Sequence, residues 1–135
     1  MLDFDNEDNA VYIVCFPFPD VRADKQQGIK VLEEASECRQ SYDDLAKLAM
    51  YHAENPEEYD EEAEHIYLKD FVMECCDNIQ ATVNLLTAVA GSAKKAQEMF
   101  EQGMYDISVK NAERGYYGED DEPEDTELPD MQQEA

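Results

Sequence analysis

At 135 residues the chain is sized for one domain around one core. Its 34 acidic against 10 basic residues leave a formal net charge of -24, which repels a phosphate backbone and excludes sequence-general binding of DNA or RNA. Nine of the acids follow Gly118, yet residues 1–118 still hold 25 acids against 10 bases, so the body is acidic without its tail. No apolar run approaches the roughly 18 residues of a membrane span, and the N-terminus MLDFDNEDNA is acidic where a signal peptide is basic. A soluble, cytoplasmic protein with no membrane partner is therefore expected. Cys15, Cys38, Cys75 and Cys76 have no CxxC spacing and read as reduced thiols filling small core spaces.

The chain opens with an arm, residues 1–20, whose acidic start gives way to AVYIVCFPFPD, a β-prone run stopped by Pro17 and Pro19. It is expected as an extended arm or a single edge strand. Asp3, Asp5 and Glu7 resemble the start of a calcium loop but lack its glycine and closing glutamate, so their role is read as structural. From about Asp20, Ile29, Leu32, Ser36, Tyr42, Leu45, Leu48 and Ala49 recur at steps of three and four and predict a first long helix over 22–52. It should end at Asn55-Pro56, because proline disfavours helical geometry in the residue before it. Pro56 then suits the first position of a second, acidic helical segment through PEEYDEEAEHIYL.

A third segment, 67–90, carries Phe71, Val72, Cys75, Cys76, Ile79, Val83, Leu85, Leu86 and Val89 over more than one face and is predicted to be the central, most buried helix. Gly91 and Ser92 read as a helix stop followed by an N-cap, and a last helix with Ala93, Ala96, Met99, Phe100, Met104 and Ile107 on its stripe should end near Gly115. Residues 119–135, rich in charge and proline, are expected to be disordered. The fold class predicted is all-α: an antiparallel bundle of about four helices over 21–118, with an N-terminal extended arm, a disordered acidic C-terminal tail and no separate second domain.

Chemistry points to carboxylates. Glu74 and Asp77 sit one turn apart in the most apolar helix, where unpaired charge is costly. The first helix holds Glu33, Glu34 and Glu37, with Glu34 and Glu37 on one face by the same spacing. Two helices can thus bring four carboxylates to one point, where mutual repulsion is relieved by a divalent cation. An all-oxygen set without histidine or cysteine suits a hard ion, Mg²⁺ or Mn²⁺, and such an ion in a helical bundle suggests attack of water on a bound phosphate. The solvated acidic helix face is the plainer alternative for either pair alone. There is no GxxxxGK[ST], HExxH, GxSxG or GxGxxG motif to support other chemistry.

The pattern EExxE, here Glu33-Glu34-Ala35-Ser36-Glu37, followed by ExxD, here Glu74-Cys75-Cys76-Asp77, resembles the signature of the MazG-like nucleotide pyrophosphohydrolases. These are all-α enzymes that split nucleoside triphosphates to monophosphate and pyrophosphate. The surrounding IKVLEEASEC and FVMECCDNIQATVNLLTAVAG also resemble the small phage and bacterial members, and the likeness runs from about Gly28 to Gly118. It implies that Glu34, Glu37, Glu74 and Asp77 bind Mg²⁺, with Mn²⁺ a substitute, and that Glu33 stands behind them or acts as base for the attacking water.

One departure is the 36 residues between Glu37 and Glu74, longer than the compact family pattern, with AMYHAENPEEYDEEAEH as the surplus. Lys94, Lys95, Lys110 and Arg114 are the late cations, and Lys110, Asn111 and Arg114 resemble the phosphate-contacting end of the family's last helix. Cations at a helix C-terminus also complement its dipole without any ligand.

The resemblance implies a homodimer or a tetramer built from dimers. The apolar perimeter of helix 67–90 agrees, being more than two short partners can cover, and places the active sites near that interface. A phosphoribosyl-ATP pyrophosphohydrolase would share the metal site and differ in substrate. The rival of another class is an acidic helical binding protein, such as a DNA mimic that occupies a nucleic-acid-binding partner. Asn78 and Asn84 read as satisfied core amides, Tyr116 and Tyr117 as anchors for the chain end, and His52 and His65 as surface residues.

Overall fold

The structure is a computed structural model and describes residues 2–118; the acidic segment 119–135, expected to be disordered, lies outside the described residues. Those residues are helical, without a β-strand, and carry three long helices: α1 (Lys25–Glu54), α2 (Glu61–Ala90) and α3 (Ala93–Glu113). Local chemistry sets each boundary. Asp24 caps α1 by accepting the Gln27 N–H at 3.0 Å, so the helix starts three residues later than periodicity alone predicts. At its end Asn55 donates its backbone N–H and its side-chain amide to the Tyr51 carbonyl.

Pro56 opens only a three-residue 3-10 turn, Pro56–Glu58, closed by the Glu58 N–H on the Asn55 carbonyl at 2.8 Å. The chain restarts at Asp60, whose carboxylate accepts the Ala63 N–H at 3.1 Å. Glu61, Glu62 and Glu64 then occupy the first turn of α2, where acidic charge complements the helix dipole. The acidic segment and the helix predicted from residue 67 are therefore one helix of 30 residues, and the helix count is three where about four were expected. Gly91 ends α2 in the left-handed region at φ 97°, a conformation open to glycine at little cost. Ser92 accepts the Lys95 N–H at 3.1 Å at the start of α3.

The described residues divide into two compact units. In the unit Ile13–Met99, α1 and α2 pack as an antiparallel hairpin. Its rungs are Gln27 Nε2 donating to the Ala81 carbonyl at 3.2 Å, Cys38 Sγ against Cys75 Sγ at 3.3 Å, and the Tyr42 and Phe71 rings at 5.8 Å. Within this unit, residues 16–18 of the arm bond to α2 without forming a strand. Asn84 Oδ1 accepts the Phe18 N–H at 2.9 Å and the Gln80 amide at 3.0 Å, while Gln80 also donates to the Phe16 carbonyl at 2.9 Å. Asn84 is buried, so its carbonyl is the satisfied core group the sequence suggested.

The second unit joins residues 2–12 to 100–118. Phe4 packs on Tyr105 with ring centroids 5.0 Å apart, and Asn6 caps the 3-10 turn Glu7–Asn9.

One expectation about a side chain needs correction. His52, read as a surface residue, is buried near the end of α1: its Nδ1 donates to the Glu64 carboxylate and its Nε2 accepts the Asp60 N–H at 3.2 Å. Its ring also meets Tyr59 edge-on at 5.1 Å. α2 is not buried all round within one chain, in keeping with the surplus apolar perimeter expected of it. It covers one face on α1, leaving Leu68 and Val72 each 48% exposed, with Met73 and Val89 more so. Among the described residues the buried apolar side chains are Ala81 and Ala96, whereas Glu34, His52 and Asn84 are buried and polar. No helix among the described residues is long and apolar enough to cross a membrane.

Candidate metal centre

The antiparallel register brings the turn of α1 holding Glu34 and Glu37 opposite the turn of α2 holding Glu74. One carboxylate oxygen from each of the three lies within 4.8 Å of the other two. Glu34 is buried, Glu74 half-buried and Glu37 exposed, so the cluster runs from the helix interface outward to solvent. Lys30, one turn before Glu34 on α1, places its ammonium 2.8 Å from Glu34 Oε2. That hydrogen bond, then the charge of Glu34 with those of Glu33 and Glu37, raises the Lys30 pKa.

Glu74 has no such cation. Its Oε1 is shielded from solvent and makes no hydrogen bond. Burial first, then the charges of Glu37, Asp77, Glu34 and Asp70, push its carboxyl pKa upward. One lysine against this many carboxylates leaves the cluster short of positive charge. A hard divalent cation with oxygen ligands fits both the donor set and the orphaned oxygen.

Asp77 is exposed and stands outside the trio. Together with Glu34 it lines an adjoining cavity of about 650 Å³, whose walls include Phe18, Arg22, Lys30, Gln80 and Asn84. Glu37 and Glu74 also line a smaller space of about 380 Å³ with Asp44 and Asp70. Glu33 is exposed beside the cluster without joining it.

Of the cations singled out in the sequence, Lys94 is exposed in the first turn of α3, and Lys110, Asn111 and Arg114 belong to the unit that contains 100–118. Lys30 and Arg22, which the sequence reading did not single out, line the cavity that Glu34 and Asp77 share. Lys30 had a visible signal, its four-residue spacing from Glu34. Arg22 had none, since it precedes the cap of α1 and belongs to no periodic stripe. No protein-family model, curated protein or solved structure matches the chain.

Proposed function

We propose that this protein hydrolyses nucleoside or deoxynucleoside triphosphates to the monophosphate and pyrophosphate, using Mg²⁺, or Mn²⁺ in its place, held by Glu34, Glu37 and Glu74. The observation that carries this reading is the convergence of three carboxylates from two helices, one with a shielded and unpartnered oxygen, beside a cavity with two cations on its wall. When bound, the metal supplies charge neutralisation at the phosphate oxygens and a more acidic attacking water.

The chain's own residues supply the rest. Lys30 and Arg22 meet the charge of the phosphate tail, and the cavity volume of about 650 Å³ falls within the roughly 300–1,000 Å³ usual for ligand sites. Phe18 gives the wall an aromatic face for a base, while Gln80 and Asn84 line it with amides. Asp77 completes the acidic rim next to Glu34, and Glu33 takes the place of a base for the incoming water. Attack at the α phosphorus breaks its bond to the bridging oxygen and releases pyrophosphate.

The active form in this reading is a homodimer or a dimer of dimers. Support comes from Leu68 and Val72, one turn apart and half exposed on α2, only two residues from Glu74 at their nearer end. A nucleic-acid mimic, the rival reading, gains only from carboxylates that face solvent, and Glu74 turns an oxygen away from it.

The test is pyrophosphate release from a panel of ribo- and deoxyribonucleoside triphosphates with Mg²⁺. Pyrophosphate and monophosphate should appear together, and both should be lost with EDTA and in Glu74→Gln. No turnover across the panel, or release of inorganic phosphate alone, overturns the proposal.

A further inference from the structure

Cys38 immediately follows Glu37 on α1, and Cys75 immediately follows Glu74 on α2. Their sulfurs stand 3.3 Å apart across the helix hairpin, one thiol donating to the other. Both residues are half-buried, so the pair is shielded from bulk water but open to a small reagent. A disulfide needs the sulfurs to close to about 2.0 Å, a movement smaller than a bond length that side-chain rotation within the packed hairpin can supply. The other two thiols, Cys15 on the arm and Cys76 on α2, are also free; burial, then the charge of Cys76, raises the Cys15 pKa, so these two are neighbours without the close sulfur contact of the first pair.

We propose that Cys38 and Cys75 are a redox modification site, oxidised by a peroxide to an intramolecular disulfide that staples α1 to α2 beside the carboxylate cluster. One thiol loses its proton and attacks a peroxide oxygen. The O–O bond breaks, a sulfenic acid forms at that sulfur and the departing hydroxide takes up a proton to leave as water. The second thiol then attacks the sulfenic sulfur, the S–S bond forms and the S–O bond breaks, releasing a second water. Two thiols and one peroxide thus give one disulfide and two waters, with the sulfurs oxidised and the peroxide oxygens reduced. A thiol reductant reverses the bond. The bond rests on the hairpin geometry and holds whether or not the carboxylates bind metal.

The experiment treats the full chain, and the double variant Cys15→Ser/Cys76→Ser, with dilute hydrogen peroxide, then alkylates the remaining thiols and maps tryptic peptides by mass. The expected result is peptide 31–39 joined to peptide 70–94 in both proteins, with the unfolding midpoint raised by oxidation and restored by dithiothreitol. Cys38→Ser should show neither change. Cys38 and Cys75 alkylating as fully after peroxide as before, or bonds that join separate chains, would overturn the proposal.

Discussion

At Glu74, burial and the neighbouring carboxylates act in the same direction. Its folded pKa lies above the ordinary value of 4.5, so ionising it works against the fold. That penalty is absent below the unfolded pKa, grows as pH rises through the raised folded value and is complete above it. Calorimetry in EDTA across this range should show Glu74→Gln unfolding at a higher temperature than the parent at neutral pH, with a flatter pH profile between the two pKa values. In excess Mg²⁺ the order should narrow or reverse, because the parent alone gains the full stabilisation of a bound ion. A variant less stable than the parent in EDTA would mean that the carboxylate is already paired. Lys30 gives a second test. Its ammonium is exposed, so solvent screens its contribution to stability, whereas losing one phosphate contact should raise the triphosphate KM about tenfold. Lys30→Met should therefore move KM far more than kcat or the unfolding midpoint; a lowered midpoint with unchanged KM would make the pair structural. The pairing of Glu34 with Glu37 was legible because helical spacing alone puts them on one face. That Asp77 falls outside the trio was not, since spacing fixes a face while the offset between α1 and α2 decides which carboxylates meet.

Between helices, the α1–α2 connection shows where local rules suffice and where they fail. Gly91 and Ser92 act as a stop and a cap within a few residues of themselves, and Pro56 restrains Asn55, so the ends of α1 and α2 and the start of α3 could be read closely; the Asp24 cap was not read, and α1 begins three residues later than expected. Pro56 is compatible with either a helix start or a tight turn. The Asp60 cap and the folding back of residues 55–60 decide for the turn, and they merge two predicted segments into one. His52 was illegible for a related reason: its partners Asp60 and Glu64 are 8 and 12 residues on and reach it only once the hairpin closes. Replacing His52 by alanine leaves a cavity, an unpaired backbone N–H and a carboxylate without its donor. A loss of about 2–4 kcal/mol in urea unfolding is expected, with faster amide exchange in the first turns of α2. Unchanged stability would place the ring in a role other than holding the turn.

For the molecule as a whole, periodicity and cap signals indicated an all-helical chain, which the described residues are, and pointed to surplus apolar surface on helix 67–90, but not to which of its residues stay uncovered. Periodicity marks a face as apolar without saying whether the same chain or another buries it, and α2 illustrates the difference through Leu68, Val72, Met73 and Val89. Sedimentation velocity should find a dimer or tetramer, and Leu68→Glu/Val72→Glu should dissociate it while lowering triphosphate hydrolysis, because Val72 lies two residues from Glu74. A parent chain that sediments as an active monomer would refute the assembly.

The central claim, that three carboxylates hold a divalent ion for phosphate chemistry, is tested most directly by anomalous diffraction from crystals grown with Mn²⁺ and a non-hydrolysable α,β-methylene triphosphate. The account predicts a manganese peak within coordination distance, about 2.0–2.3 Å, of Glu34, Glu37 and Glu74, with phosphate density toward Lys30 and Arg22. Ordered carboxylates with no peak among them, or manganese bound only elsewhere on the acidic surface, would contradict it.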